Sequence, residues 1–298
     1  MNTKYLSIVI PTQGDLEKLN TIVSSIYKNI LNVQFEIVIV CNPEVLNIEI
    51  LTKKYDQLQI IQLKKAGLNV ARQAGLLLSQ FELVLFLDDD CELTSPLQID
   101  LLYNEIIQSS ELFAVGGYYS LPADAGVWSK VYFNQQMQWL KSGIYDHQKN
   151  YCAYLIGGYF ILNKSKCKAL NIEFDEKMIF GGTEKEFFLQ AYKKNQKMRL
   201  VDSIVKHHSD DSVFKYLSKT FKQGRGQKYI ESKGLIFRPV YLILKSESKS
   251  IFFDLAYWSG YFWYDYSIIK LFYFLGSKIL TAINEKKISF LNQFKKDL

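Results

Sequence analysis

Three consecutive carboxylates, Asp88, Asp89 and Asp90, follow directly on an apolar run from Leu83 to Leu87. Carboxylates this close repel one another, and each loses hydration where it abuts a core. Three arrangements could offset that cost. The acids could cap a helix by accepting bonds from backbone N–H groups. They could hold a hard divalent cation together with substrate phosphates. They could form half of a hydrolytic acid–base pair, although no partner stands nearby in the sequence.

The surrounding elements say where the triplet sits. "LSIVI" at 6–10 is a short β-branched run closed by Pro11, the pattern of a buried strand. Helical spacing follows over 15–30, with Leu16, Leu19, Ile22, Val23, Ile26 and Ile30 on one face. "FEIVIV" at 35–40 and "LQIIQL" at 58–63 read as two more buried strands, a helix covers about 69–79, and Leu83 to Leu87 is the fourth strand. This alternation predicts βαβ units, a mostly parallel sheet and ligands beyond the carboxyl ends of the strands. Pro11 to Gly14, Cys41 to Pro43 and Asp88 to Asp90 all fall at such ends. Further on, "LFAVGGYYSL" (112–121) and "YLIGGYFIL" (154–162) read as strands interrupted by paired glycines, where backbone or ligand comes close. "EKEFFLQAYKKN" (184–195) reads as a helix.

With 298 residues, 48% of them hydrophobic, the chain can bury a full core. A net charge of +6 suits anionic small molecules or an anionic membrane surface and is too weak to argue for nucleic acid. Cys41, Cys91, Cys152 and Cys167 form no CxxC pair, which predicts four reduced thiols. No secretion signal is read at the N-terminus.

In order along the chain stand "LSIVIPT", "GLNVARQAGL" (67–76), "FLDDDCEL" (86–93), "LIGGYFILNKS" (155–165), "FDEKMIFGGTEKEFFLQAYKKN" (174–195) and "VKHH" (205–208). Over roughly 5–226 the sequence resembles the GT-A glycosyltransferases of family 2. The resemblance implies a Rossmann-like α/β fold, a mostly parallel sheet sandwiched by helices, and metal-assisted, inverting transfer from a nucleotide-sugar donor. Asp88 to Asp90 matches the family's DxD element, so Asp90 is the expected ligand of Mg²⁺ or Mn²⁺, Asp88 lies on the donor and Asp89 supports it. Arg72 falls where the family places a basic residue and would contact donor phosphate, unless it is a solvated helix charge. Pro11, Thr12 and Gly158 are expected to line the donor. Asn42 stands where the family commonly reads uracil with an acid, and a UDP-sugar is the expected donor. By position Glu184 is the expected general base and Glu186 a supporting acid, with Thr183 where an acid is usual. The alternative for both glutamates is a helix N-terminus enriched in acids. Gly181 and Gly182 would let this loop approach the sugar. His207 is the expected metal-binding histidine, with His208 as alternative. The absence of QxxRW implies one sugar per encounter.

Composition shifts near 212, which predicts a catalytic domain over 1–211 and a helical extension over 212–298. Phe252 to Gly276 is strongly aromatic, but Asp254, Asp265 and Lys270 interrupt it as a membrane span. It is expected to pack on the catalytic domain, to dimerise, or to lie at the membrane interface. Lys270, Lys278, Lys286, Lys287, Lys295 and Lys296 suit an anionic leaflet. Hence a cytoplasmic enzyme at the inner face of the cell membrane is expected, with a hydroxyl-bearing glycan or lipid-linked acceptor. Two alternatives remain: a scaffold that has lost catalysis, favoured by Thr183, Cys41 and Asn42, and a sugar nucleotidyltransferase. The latter needs a Gly-rich phosphate loop, whereas "IPTQGDLEKL" has one glycine.

Overall fold

The computed structural model describes residues 4–30, 33–41, 48–179, 181–209, 211–235 and 256–261. The first half alternates strand and helix: β1 (Tyr5–Thr12), α1 (Leu16–Asn29), β2 (Gln34–Cys41), α2 (Ile50–Lys54), β3 (Leu58–Gln62), α3 (Leu68–Leu78) and β4 (Leu83–Leu87). Then come β5 (Cys91–Glu92), α4 (Leu97–Gln108), β6 (Leu112–Ser120), α5 (Val127–Ser142), β7 (Ile144–Asp146), β8 (Tyr151–Cys152), β9 (Tyr159–Asn163), α6 (Lys164–Leu170), α7 (Thr183–Lys193), β10 (Lys197–His207) and α8 (Val213–Ser232).

The long strands lie in the order β3-β2-β1-β4-β9-β6-β10. β3, β2, β1 and β4 run parallel, as do β6 and β10, while β9 is antiparallel to both its neighbours. β3 differs from its expectation: as the edge strand it is only half-buried. The other departure is at 154–162, where only Tyr159–Asn163 is strand. Because β9 pairs Tyr159 with Leu87, its first residues meet the carboxyl end of β4. Gly157 and Gly158 are thereby delivered to the carboxylates that follow Leu87.

Every residue of β4 is buried. At about 1.5–3 kcal/mol per buried large apolar side chain, this strand is a rigid pedestal for Asp88. The chain then turns, and β5 pairs antiparallel with the end of β10, Cys91 opposite His207 and Glu92 opposite Lys206. That register sets Asp90 beside His207. α7 is fixed by its apolar face: Phe187 and Phe188 are fully buried, and Phe187 stacks on Phe174 at 4.0 Å.

α8 packs onto the loop that leads into α7. A Cβ on Gly226 would stand 1.7 Å from the Gly181 carbonyl oxygen, and Gly181 N–H donates to Lys222 O at 3.1 Å. A Cβ on Gly181 would in turn stand 2.8 Å from the Gln223 side chain, so both glycines serve the contact with α8. Residues 256–261 of the aromatic segment pack here too, with Tyr257 and Trp258 joining Tyr216 in a small cluster against Trp128 and Trp139. The remainder of that segment and the lysine-rich end lie outside the described residues. Among the described residues no helix is long and apolar enough to cross a membrane. All four cysteines are buried and free.

Candidate active site

The triplet and the α7 loop meet at one buried cation, Arg72. It is 1% exposed, although it sits on a surface helix. One terminal nitrogen donates to Asp88 Oδ1 and to the Gly157 carbonyl, each at 3.3 Å. The other donates to Thr183 Oγ1 at 3.1 Å and lies 3.6 Å from Glu184 Oε2. The alternative of a solvated helix charge does not hold; the guanidinium is committed to protein groups. Burial raises the Asp88 carboxyl to about 7, Arg72 works against that rise, and Asp90 adds to it.

Asp88 is also clasped from behind. Its N–H donates to Gly158 O at 3.0 Å. Gly158 has φ +150°, and a Cβ there would stand 2.0 Å from Asp88 Oδ2. Only glycine lets the backbone come this close. Asp89 turns the other way and accepts from Thr12 Oγ1 at 2.5 Å, tying the triplet to the end of β1, where Pro11 and Thr12 are buried. Asn42 lies outside the described residues.

Asp90 Oδ1 is buried, 3.2 Å from His207 Nε2, without a well-aligned hydrogen bond. Burial works against its ionisation, but His207 prevails and holds it below the usual carboxylate range. The His207 ring stacks on Tyr119 at 4.6 Å, which fixes its plane. His208 does not join it: its ring bonds Glu92 at 2.8 Å, while its backbone N–H donates to Asp90 O at 2.7 Å. Among the described residues no group of three or more His, Cys, Asp or Glu forms a ready metal cage. An under-bonded carboxylate oxygen facing an imidazole does suit a hard cation whose other positions are filled by phosphate oxygens and water. Asp90 also borders an open groove with Gln13, Lys18, Lys206, Lys215 and Lys219 on its walls.

Glu184 leaves the first turn of α7 and opens into a cavity of about 80 Å³, whose lining includes Trp139, Tyr154, Lys185, Gln223 and Gln227. Thr183 Oγ1, accepting from Arg72, donates to Glu184 Oε2 at 3.0 Å. The Thr183 hydroxyl thus links the Arg72 guanidinium to the Glu184 carboxylate. Glu186 does not reach the cavity. It is 0% exposed, accepts from Gln190 at 3.0 Å and pairs with Lys233 of the segment after α8. As a supporting acid it ties down the start of α7 rather than facing an acceptor, since α7 turns it inward. Sequence reasoning missed Tyr119, Lys185, Trp139, Gln223 and Gln227. Tyr119 could have been found from its place near the carboxyl end of β6; the α5 and α8 residues carry no local signal.

A Rossmann-like sheet with an acidic turn at the end of its central strand, and a carboxylate facing a cavity, defines a glycosyltransferase of GT-A type. Residues 7–170 match the family model for glycosyl transferase family 2, more than half of the chain, and the protein belongs to that family. Among solved structures, the crystal structure of S. aureus TarS 1–349 is similar, at a TM-score of 0.56 and 15% identity, over 89% of this chain and 73% of that one. At that identity the likeness speaks to fold alone. No curated protein matches the chain. α7 and His207 lie beyond the residues matched to the family.

Proposed function

We propose that the protein moves a single sugar, with inversion, from a nucleotide-sugar donor, expected to be a UDP-sugar, to a hydroxyl acceptor in the cavity before Glu184. The observation that carries this reading is the shared guanidinium: Arg72 touches Asp88 on the donor side and lies 3.6 Å from Glu184 on the acceptor side. One buried cation thus holds the two carboxylates in a fixed relation to each other, the kind of positioning that a displacement between two bound reactants needs.

Each residue then has a task. Asp88 accepts from the donor's nucleoside end, and Thr12 and Asp89 brace the floor beneath it. Lys18, Lys206, Lys215 and Lys219 supply a positive field along the groove for a diphosphate. Asp90 and His207 are the residues that would hold Mg²⁺ or Mn²⁺. A bound cation would neutralise charge gathering on the leaving nucleoside diphosphate. Glu184 accepts the acceptor hydroxyl's proton as its oxygen attacks the anomeric carbon. Arg72, directly and through Thr183, keeps that carboxylate aimed.

The lysines between 270 and 298 support contact with an anionic membrane surface, where a lipid-linked acceptor would be found. Incubation with a panel of nucleotide sugars and Mn²⁺ tests the activity. Slow release of nucleoside diphosphate from one donor is expected; a folded chain that releases none from any donor would favour a binding scaffold instead.

A further inference from the structure

The cavity before Glu184 holds a second charged group that the transfer chemistry does not use. Lys185 is the third residue of α7, in the first turn, where the positive end of the helix macrodipole disfavours a cation. Burial opposes its charge as well, drawing its pKa down to about 8 against the pull of Glu231 and Glu184. Its ammonium donates to Gln227 Oε1 at 3.0 Å and lies 4.8 Å from the centre of the Tyr154 ring. Neither neighbour carries a full negative charge, and among the described residues it has no ion pair within 4.0 Å. A tie between α7 and α8 through Gln227 would be made as well by a neutral amide, without the desolvation cost. An ammonium has three donors, and one of them is spent on Gln227.

We infer that Lys185 reads an anionic group, a phosphate or a carboxylate, carried by the acceptor close to the hydroxyl that Glu184 activates. Lys185 and Glu184 are adjacent in sequence and line the same cavity, so hydroxyl and anion would lie within one sugar or polyol unit. Trp139 and Tyr154 offer flat apolar walls for the rest of that unit. Selectivity follows from cost: a neutral acceptor leaves the desolvated ammonium without a counter-charge, whereas an anionic one satisfies it. This inference rests on the glycosyl-transfer reading of the cavity.

The test is titration calorimetry on the full chain with four probes: glycerol 3-phosphate and glucuronate as the charged pair, glycerol and glucose as their neutral counterparts. At least one charged probe should bind about tenfold more tightly than its counterpart, the ratio expected of one charge-assisted hydrogen bond. Whichever does so distinguishes phosphate from carboxylate. Lys185→Gln, which retains an amide for Gln227, should abolish the preference, and Lys185→Arg should retain it, with melting curves confirming that both fold. No preference in the wild type, or one that survives in Lys185→Gln, overturns the inference. Nucleoside diphosphate release by the wild type is read separately, so the function can stand while this inference falls.

Discussion

Arg72 and Glu184 stand 3.6 Å apart, with Thr183 bonded to both, and the same guanidinium reaches Asp88 at 3.3 Å. Asp88 and Glu184 are thus positioned by one buried side chain rather than independently. Burying a cation is costly unless its partners are well placed. Here its partners are two carboxylates, a hydroxyl and a carbonyl, all of them fixed by the end of β4, the turn before β9 and the start of α7.

Arg72→Lys keeps the charge but cannot span both carboxylates, because an ammonium is a point donor rather than a fork. Turnover should fall at least tenfold. In a double-mutant cycle Arg72→Lys and Glu184→Gln should be strongly non-additive, since they share one unit. Additive losses would show that Arg72 does not act through Glu184.

Glu184→Gln preserves shape and removes the carboxylate proposed as base. Donor binding should survive while turnover drops by about 10² to 10⁴, the usual worth of a positioned proton acceptor. Single-turnover kinetics at saturating donor measure this directly; a wild-type rate would exclude Glu184 as base.

Gly158→Ala places a methyl group where Asp88 Oδ2 now lies, in a backbone region that disfavours side chains. A stability loss of about 1–3 kcal/mol is expected from the forced displacement, together with weaker donor binding because Asp88 must move. Thermal melting and donor titration check the two effects. A neutral outcome in both would mean that the close approach has no role.

Lys185 makes stability depend on pH in a predictable direction. Its folded pKa, about 8, lies below the ordinary lysine value of 10.5. Between these values the unfolded chain binds more protons than the folded one, so stability rises with pH across that interval. The groups facing the ammonium are Glu184 on its own helix, Gln227 and Glu231 on α8, and Tyr154 before β9. Below pH 8 the charge is a cost to the fold, so Lys185→Met should melt higher than wild type at pH 7. An advantage on the order of 1 kcal/mol corresponds to about 2–4 °C for a chain of this size. The gap should narrow from pH 8 towards 10.5. A lower melting point for Lys185→Met throughout would contradict the burial argument.

The first four strands and the triplet at the tip of β4 were legible in the sequence, because strongly apolar runs closed by turn residues leave little choice of element. Ile37, Ile8 and Leu85 sit side by side in the parallel register that βαβ alternation predicts. The direction of β9 was not legible: strand pairing is decided by tertiary contacts, and "YLIGGYFIL" reads the same either way. Arg72 was legible as a site residue, but its burial was not, since nothing local announces that Thr183 and Gly157 will close over it. Glu184 and Glu186 resembled a pair of helix-start acids, yet a difference of two positions turns one towards the cavity and the other towards Lys233. The cavity wall drawn from α5 and α8 was invisible, because only folding brings Trp139 and Gln227 together.

The proposed transfer depends most directly on a cation that Asp90 and His207 would hold. The decisive measurement is the rate of nucleoside diphosphate release from the preferred donor, followed as Mn²⁺ is returned to chelated protein, for wild type and Asp90→Asn. Release should be absent in chelator and restored along a saturable curve in the wild type, with Asp90→Asn shifted to far higher Mn²⁺ or left inactive. An undiminished rate in chelator, or identical curves for the two proteins, would contradict it.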